Sequence, residues 1–215
     1  MYENFQIAMF TSEFIAALFG TFYFYKYKNT DINFLILLLW YIPVNEMLCQ
    51  YIFPRSEIGY LLYNLYDLIV SSTILIMLKT QIRLKARKNI VLVLLVLCIT
   101  IFLISLFFFN PFKEFSKSNF TIFTVLVITA LLIYFIDLLN SDKILLLSKN
   151  LFLIINLGFL IFFIAYPVIS LAREFISEDP KINGLLNNIQ FTVAILSYLT
   201  IAFGFYYGNK IEIEN

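Results

Sequence analysis

Three acidic side chains, Glu13, Glu46 and Asp67, each interrupt a long apolar run. A charge at membrane depth costs about 2.5–3.5 kcal/mol on insertion scales, so each needs a reason to be there. The runs that hold them contain no Lys or Arg at comparable depth to neutralise them. In the neutral form a carboxylic acid donates a hydrogen bond to Asn, Gln or Tyr and holds helices together. In the ionised form it attracts a cation, an amine or another polar ligand. Two such groups on neighbouring helices can also act as a general acid and base on water.

Other chemistry is excluded by composition. The chain has no histidine, which removes Ser-His-Asp and Cys-His catalysis and imidazole general bases. Cys49 and Cys98 are too few for a cysteine-rich metal site, and both lie within apolar stretches, where a structural disulfide is not expected. No cofactor is implied. A net charge of +1 speaks against a nucleic-acid partner.

The neighbours of the carboxylates follow helical spacing. Ala16, Ala17 and Gly20 stand at i+3, i+4 and i+7 from Glu13, a small-residue face suited to close helix approach. Gln50 shares a face with Glu46, with Asn45 beside it and Pro43 nearby as a helix-bending residue. Tyr60, Tyr63, Asn64, Asp67 and Ser71 form one polar stripe. Asn187, Gln190, Ala194 and Ser197 form another. The candidate ligand- or ion-binding residues are therefore Glu13, Asn45, Glu46, Gln50, Asn64, Asp67 and Gln190. Asp137 is different. It lies close in sequence to Lys143 and reads as a charge reaching the membrane surface.

The elements that position these residues are membrane spans. Of the 215 residues, 61% are apolar and 13% are charged, whereas ordinary soluble domains are about 45–50% apolar and about 25% charged. The mean hydropathy is +0.89. A bilayer core of about 30 Å takes about 20 helical residues. Seven runs qualify: Phe5–Tyr27, Asn33–Phe53, Ile58–Leu78, Ile90–Phe109, Phe120–Leu139, Leu151–Ala172 and Gly184–Tyr207. Met1–Asn4 carries Glu3 and no basic residue, so the first run reads as a span and not as a secretory signal. The runs are uniformly apolar, which predicts α-helices and not the alternating strands of a barrel. The fourth run has Cys98 as its sole ionisable group and is expected to face lipid. The connections are short, and the reading is an all-α, polytopic, seven-helix membrane protein forming one domain over residues 1–215.

Orientation is read from Lys and Arg. With the N-terminus outside, ten of the fifteen basic residues fall on the inner side, so the chain is expected to run N-out, C-in, in a bacterial inner membrane. The segment "KTQIRLKARKN" carries most of the bias. Its Lys79, Arg83, Lys85, Arg87 and Lys88 are expected to meet anionic lipid headgroups or a cytoplasmic protein partner. At about 1.5 Å per residue, Glu13, Glu46 and Asp67 then lie roughly 12, 10 and 14 Å below the outer edge of their helices. Three carboxylates at similar depth on consecutive helices predict a shared chamber open to the outside.

The stretch Glu13–Tyr51, with its YKYKN, WY and NE elements, followed by "LLYNLYDLIVSSTI" (Leu61–Ile74), resembles small seven-helix proteins of Bacteroidota. The resemblance covers the first third of the chain, and the rest is alike in hydropathy. It implies that Glu13, Trp40, Asn45, Glu46, Asn64 and Tyr66 belong to a group signature, and it implies no activity. Those proteins are loosely similar in layout to the membrane input regions of bacterial sensor kinases, whose kinase and output domains have no counterpart here.

The expectation that follows is a receptor-like sensor or ligand-binding signalling subunit with an outward-facing acidic pocket. One alternative is an ion passage, a transporter or an oligomeric membrane effector such as a phage-defence pore. A second is an intramembrane lipid hydrolase built on carboxylates. A retinal protein is excluded because the last span has no lysine, and a voltage sensor because no span carries a regular Arg series.

Overall fold

A computed structural model describes residues 2–27, 32–108, 110–140, 150–175 and 180–208. The described residues form an all-α protein in which seven helices, the second together with the π turn that ends it, are long and apolar enough to cross a membrane. They are α1 (Tyr2–Phe22), α2 (Ile32–Met47), α3 (Glu57–Gln81), α4 (Lys85–Phe108), α5 (Lys117–Leu139), α6 (Leu151–Phe175) and α7 (Pro180–Tyr207). In lipid a backbone must satisfy its own polar groups, which a helix does within one segment. Two predicted spans end differently from a plain helix. The first changes after Phe22 into a 3-10 turn, Phe24–Tyr27, and the second closes in a π turn, Leu48–Ile52.

The helices fall into two compact units. One comprises α1, α6 and α7, with α7 packed against both α1 and α6. The α6–α7 seam depends on glycine. A Cβ at Gly158 would stand 2.8 Å from Ile201 and 2.9 Å from the Ser197 carbonyl oxygen. One at Gly208 would stand 2.7 Å from the Leu151 Cα. Close approach of this kind supplies dispersion contact where lipid removes the hydrophobic driving force. The end of α7 is capped from α1's extension, where Lys26 Nζ and the buried Tyr27 hydroxyl both donate to the Gly208 carbonyl. A cation at a helix C-terminus also complements the helix dipole. As expected from their spacing, Ala16, Ala17 and Gly20 are buried along with Glu13.

The other unit comprises α2 to α5, and α3 packs against all of its neighbours there. Of the seven spans, α4 buries the least of its length, its buried residues being Val91, Cys98 and Phe102. This low burial is what its uniformly apolar sequence predicts for a peripheral helix. Two polar latches tie α5 to α3. At one end Asn64 Nδ2 donates to the carbonyls of Pro111 (3.1 Å) and Glu114 (2.9 Å), and its Oδ1 accepts from the Ser116 N–H (2.9 Å). Ser116 in turn caps α5 by accepting from the Asn119 N–H, and Asn119 donates to Ser105 on α4 (2.8 Å).

At the other end Asp137 accepts from the Arg83 N–H (2.8 Å) and from Arg87 Nη1 (2.9 Å). This corrects the reading of Asp137 as a charge reaching the surface. Its side chain is 5% exposed and ion-paired to a residue fifty positions away. Lys143, the partner suggested by sequence proximity, lies outside the described residues. From Asn64 to Gln81 the helix rises about 26 Å, so the two latches sit near opposite faces of a bilayer core of about 30 Å. They also make α3 and α5 run in the same direction, with α4 returning between them.

Removing Asp137 leaves Arg87 and the Arg83 N–H without their acceptor. Asp137→Leu is expected to destabilise the folded protein by about 3 kcal/mol. The double variant with Arg87→Met should recover part of that loss. Unfolding in mixed micelles, run as a double-mutant cycle, measures both; additive effects would show that the pair is not coupled.

Candidate functional site

The site begins with the turn between α2 and α3. Pro43 removes one ladder hydrogen bond inside α2. The helix then widens into the π turn at Leu48–Ile52, closed by the Phe53 N–H donating to the Leu48 carbonyl (2.9 Å). Arg55 follows in the left-handed region at φ 53°, the sole non-glycine residue with positive φ among those described. Ser56 then caps α3. Its Oγ accepts from the Gly59 N–H (3.1 Å) and donates to the Phe53 carbonyl (2.9 Å). The fit is tight, because a Cβ on Gly59 would stand 2.2 Å from the Phe53 carbonyl oxygen.

Beside this turn lies a cavity of about 350 Å³, open to the surface. Cys49 and Gln50 line it from the π turn, Tyr60 and Tyr63 from α3, and Arg55 from the turn itself. Gln50 and Tyr63 hydrogen-bond through their side chains. The Tyr63 ring is steadied by an edge contact with Phe115 (76°, centroids 6.5 Å apart). Beneath the cavity Tyr41 stacks on Tyr66 and donates to Asn45 Oδ1 (3.5 Å). Asn45 Nδ2 reaches Cys49 Sγ, and Cys49 reaches the Gly59 carbonyl, both at 3.8 Å. Glu46 lies within electrostatic reach of Cys49 and Tyr63, and its Oε2 is buried with no hydrogen-bond partner. Asp67 is buried within reach of Tyr41 and Cys98.

The predicted site residues divide between the units. Asn45, Glu46, Gln50, Asn64 and Asp67 belong to the α2–α5 unit, whereas Glu13 and Gln190 belong to the other. Asn64 is committed to the α4–α5 loop on both its donor and acceptor sides. Gln190 accepts from Arg173 Nη2 on α6. Of the basic set, Arg83 and Lys85 are exposed, Lys79 and Lys88 are half-buried, and Arg87 is paired with Asp137. Among the described residues no group of three or more His, Cys, Asp or Glu could hold a metal. Sequence reasoning missed Arg55 and Gly59. The available signal was Pro54 followed by Ser56 and then Gly59, a turn leading into a serine-capped helix.

Compared with protein-family models, curated proteins and solved structures, the chain matches none.

Gly59→Ala cannot be placed without displacing backbone at Phe53. It is expected to destabilise by about 1–3 kcal/mol and to loosen the turn. Alkylation of Cys49 by a small maleimide in a Cys98→Ala background reads this directly. The rate should rise several-fold, and an unchanged rate would show that the turn does not depend on Gly59.

Proposed function

We propose that the chain is a receptor-like membrane sensor, or the ligand-binding subunit of a signalling complex, that takes a small polar ligand into the α2–α3 cavity. The observation that carries this reading is the combination at one turn of a π turn, a left-handed Arg55 and a tightly packed Gly59 around a cavity beside a buried, unpartnered carboxylate oxygen. Two antiparallel helices need none of these to reverse direction. Backbone irregularity of this kind gathers where a site must be shaped. The cavity also adjoins a route for a response. Tyr63 lines it, and the next residue, Asn64, latches α3 to the start of α5. The far end of α3 leads to the basic turn held by Asp137.

In this reading the chain runs N-out, C-in in a bacterial inner membrane. The cavity then opens outward, and Lys79, Arg83, Lys85 and Lys88 face anionic lipids or a cytoplasmic partner. The asymmetry supports it, since Arg55 is the one basic residue of the α2–α3 turn while five lie between Lys79 and Asn89.

Orientation is tested with single cysteines in a background lacking Cys49 and Cys98. In whole cells, Arg55→Cys should react with a membrane-impermeant maleimide and Lys85→Cys should react after lysis. The reverse pattern would invert the topology.

Binding is tested by thermal unfolding of the purified protein against matched sets of amines, carboxylates and neutral polar compounds. At least one set should raise the midpoint, the stabilisation reaching about 2.7 kcal/mol at a hundredfold excess over Kd. Gln50→Trp, which fills the cavity, should abolish the shift. No stabilisation by any set, or stabilisation that survives Gln50→Trp, would overturn the reading.

A further inference from the structure

We infer that the α2–α3 cavity takes the phosphate of an anionic phospholipid headgroup, with Arg55 as its counter-charge and Gln50, Tyr60 and Tyr63 as its polar walls. This rests on the ligand-binding reading above and commits it to one chemical class.

Charge is the first argument. Arg55 is the one charged residue that lines the cavity. It is exposed and forms no ion pair with any described residue. A guanidinium is always charged and offers its donors in a planar fork that matches a phosphate. Gln50, Tyr60 and Tyr63 share the lining, and side-chain amides and hydroxyls also donate to phosphate oxygens. The acids nearby stand aside. Glu57, in the first turn of α3, is exposed and does not line the cavity. Glu46, one helical turn before Gln50, does not line it either, and its Oε2 is buried. A group entering the cavity therefore meets one positive charge and no negative one, and an amine would find no acid to pair with.

Position is the second. One candidate span ends at Ile52 and the next begins at Glu57. The cavity thus lies at the helix ends, where the hydrocarbon of a bilayer gives way to its headgroups. Apolar side chains flank its lining on both sides in sequence, Tyr51 being 64%, Ile52 61% and Ile58 51% exposed. In a bilayer such residues meet acyl chains. A phosphate carried on a lipid uses both features, the charge in the cavity and the apolar surface beside it. A soluble anion uses the first alone. The volume, about 350 Å³, suits a headgroup-sized moiety.

Alkylation of Cys49 tests this locally, since Cys49 lines the cavity and the basic turn beyond α3 does not. The full-length Cys98→Ala protein in non-ionic detergent is treated with a small maleimide against three matched probes. Dihexanoyl phosphatidylglycerol carries phosphate and tails, dihexanoylglycerol lacks the phosphate, and glycerol phosphate lacks the tails. The phospholipid should slow alkylation several-fold, and the other two should need at least about tenfold higher concentrations for the same protection. Arg55→Gln should raise the half-protecting phospholipid concentration about tenfold. Raising salt from about 0.05 to about 0.5 M should raise it several-fold in the parent protein, which decides the matter if the variant fails to fold. Protection unmoved by Arg55→Gln or by salt overturns the inference, as does equal protection by dihexanoylglycerol. Glycerol phosphate as effective as the phospholipid overturns the lipid source. Stabilisation by amines or neutral compounds, with no protection by the phospholipid, overturns the inference while leaving a ligand-binding cavity standing. Silence from these probes and from the wider compound sets removes both the inference and the reading beneath it.

Discussion

Along most of this chain water is not available as a hydrogen-bond partner, and this constraint decides where its polar side chains are used. Within a span the helix satisfies its own backbone. At the turns it cannot, because each helix end leaves N–H and C=O groups over. In the α2–α5 unit those groups are met by side chains from elsewhere in the fold. Asn64 supplies one donor group and one acceptor to the loop before α5. Asp137 accepts the N–H of Arg83 just beyond α3. The Ser56 and Ser116 hydroxyls each accept one of the free N–H groups in the first turn of α3 and α5. The same need appears in the α1–α6–α7 unit, where Lys26 and Tyr27 meet the carbonyl of Gly208, just beyond α7. Polar residues here hold helix ends, and apolar residues fill the spans.

That division gives α3 its central place in its unit. It is latched near both ends to α5, packs along α4, and forms one wall of the cavity with α2. A helix tied at both ends moves as a body more readily than it bends. Any displacement of Tyr63 at the cavity is carried through Asn64 to the α4–α5 loop, and along the helix to the Arg83 end. This is a mechanical argument for coupling. A two-state element biased by ligand at one end is what would make it signalling.

The spans were legible because their signal is compositional: runs of about 20 apolar residues need no long-range information. The buried face of α1 carrying Ala16, Ala17 and Gly20 and the low burial of α4 were legible from local sequence for the same reason. The roles of single polar residues were not. Asp137 was placed at the surface because its nearest basic residue in sequence is Lys143, whereas its partners are Arg83 and Arg87, more than forty residues away in a helix hairpin. Asn64 stood in the same polar stripe as Tyr63 and Asp67, and nothing in the stripe tells which member holds a loop and which faces a cavity. Helical periodicity reports a shared face and is silent about what that face meets. The partition of Glu13 and Gln190 from Glu46 and Asp67 was hidden for a related reason. Consecutive helices are usually neighbours, but α1 groups with α6 and α7 through the far end of the chain.

Asp137 and Glu46 lie in the same unit and show two outcomes for a carboxylate in an apolar protein. Asp137 has a guanidinium and a backbone N–H at hydrogen-bond distance, one on each oxygen. Glu46 keeps one buried oxygen without a hydrogen-bond donor, one helical turn from Gln50 of the pocket lining. The fold is thus able to supply a buried acid with partners from fifty residues away where the acid's task is to hold helices. The basic residue of the α2–α3 turn, Arg55, is exposed and forms no ion pair with Glu46. An acid whose role is to fix helices gains from every donor it can attract, so leaving one unmet works against that role. The contrast within one unit, more than the acidity of Glu46 itself, sets the α2–α3 turn apart from the other helix ends.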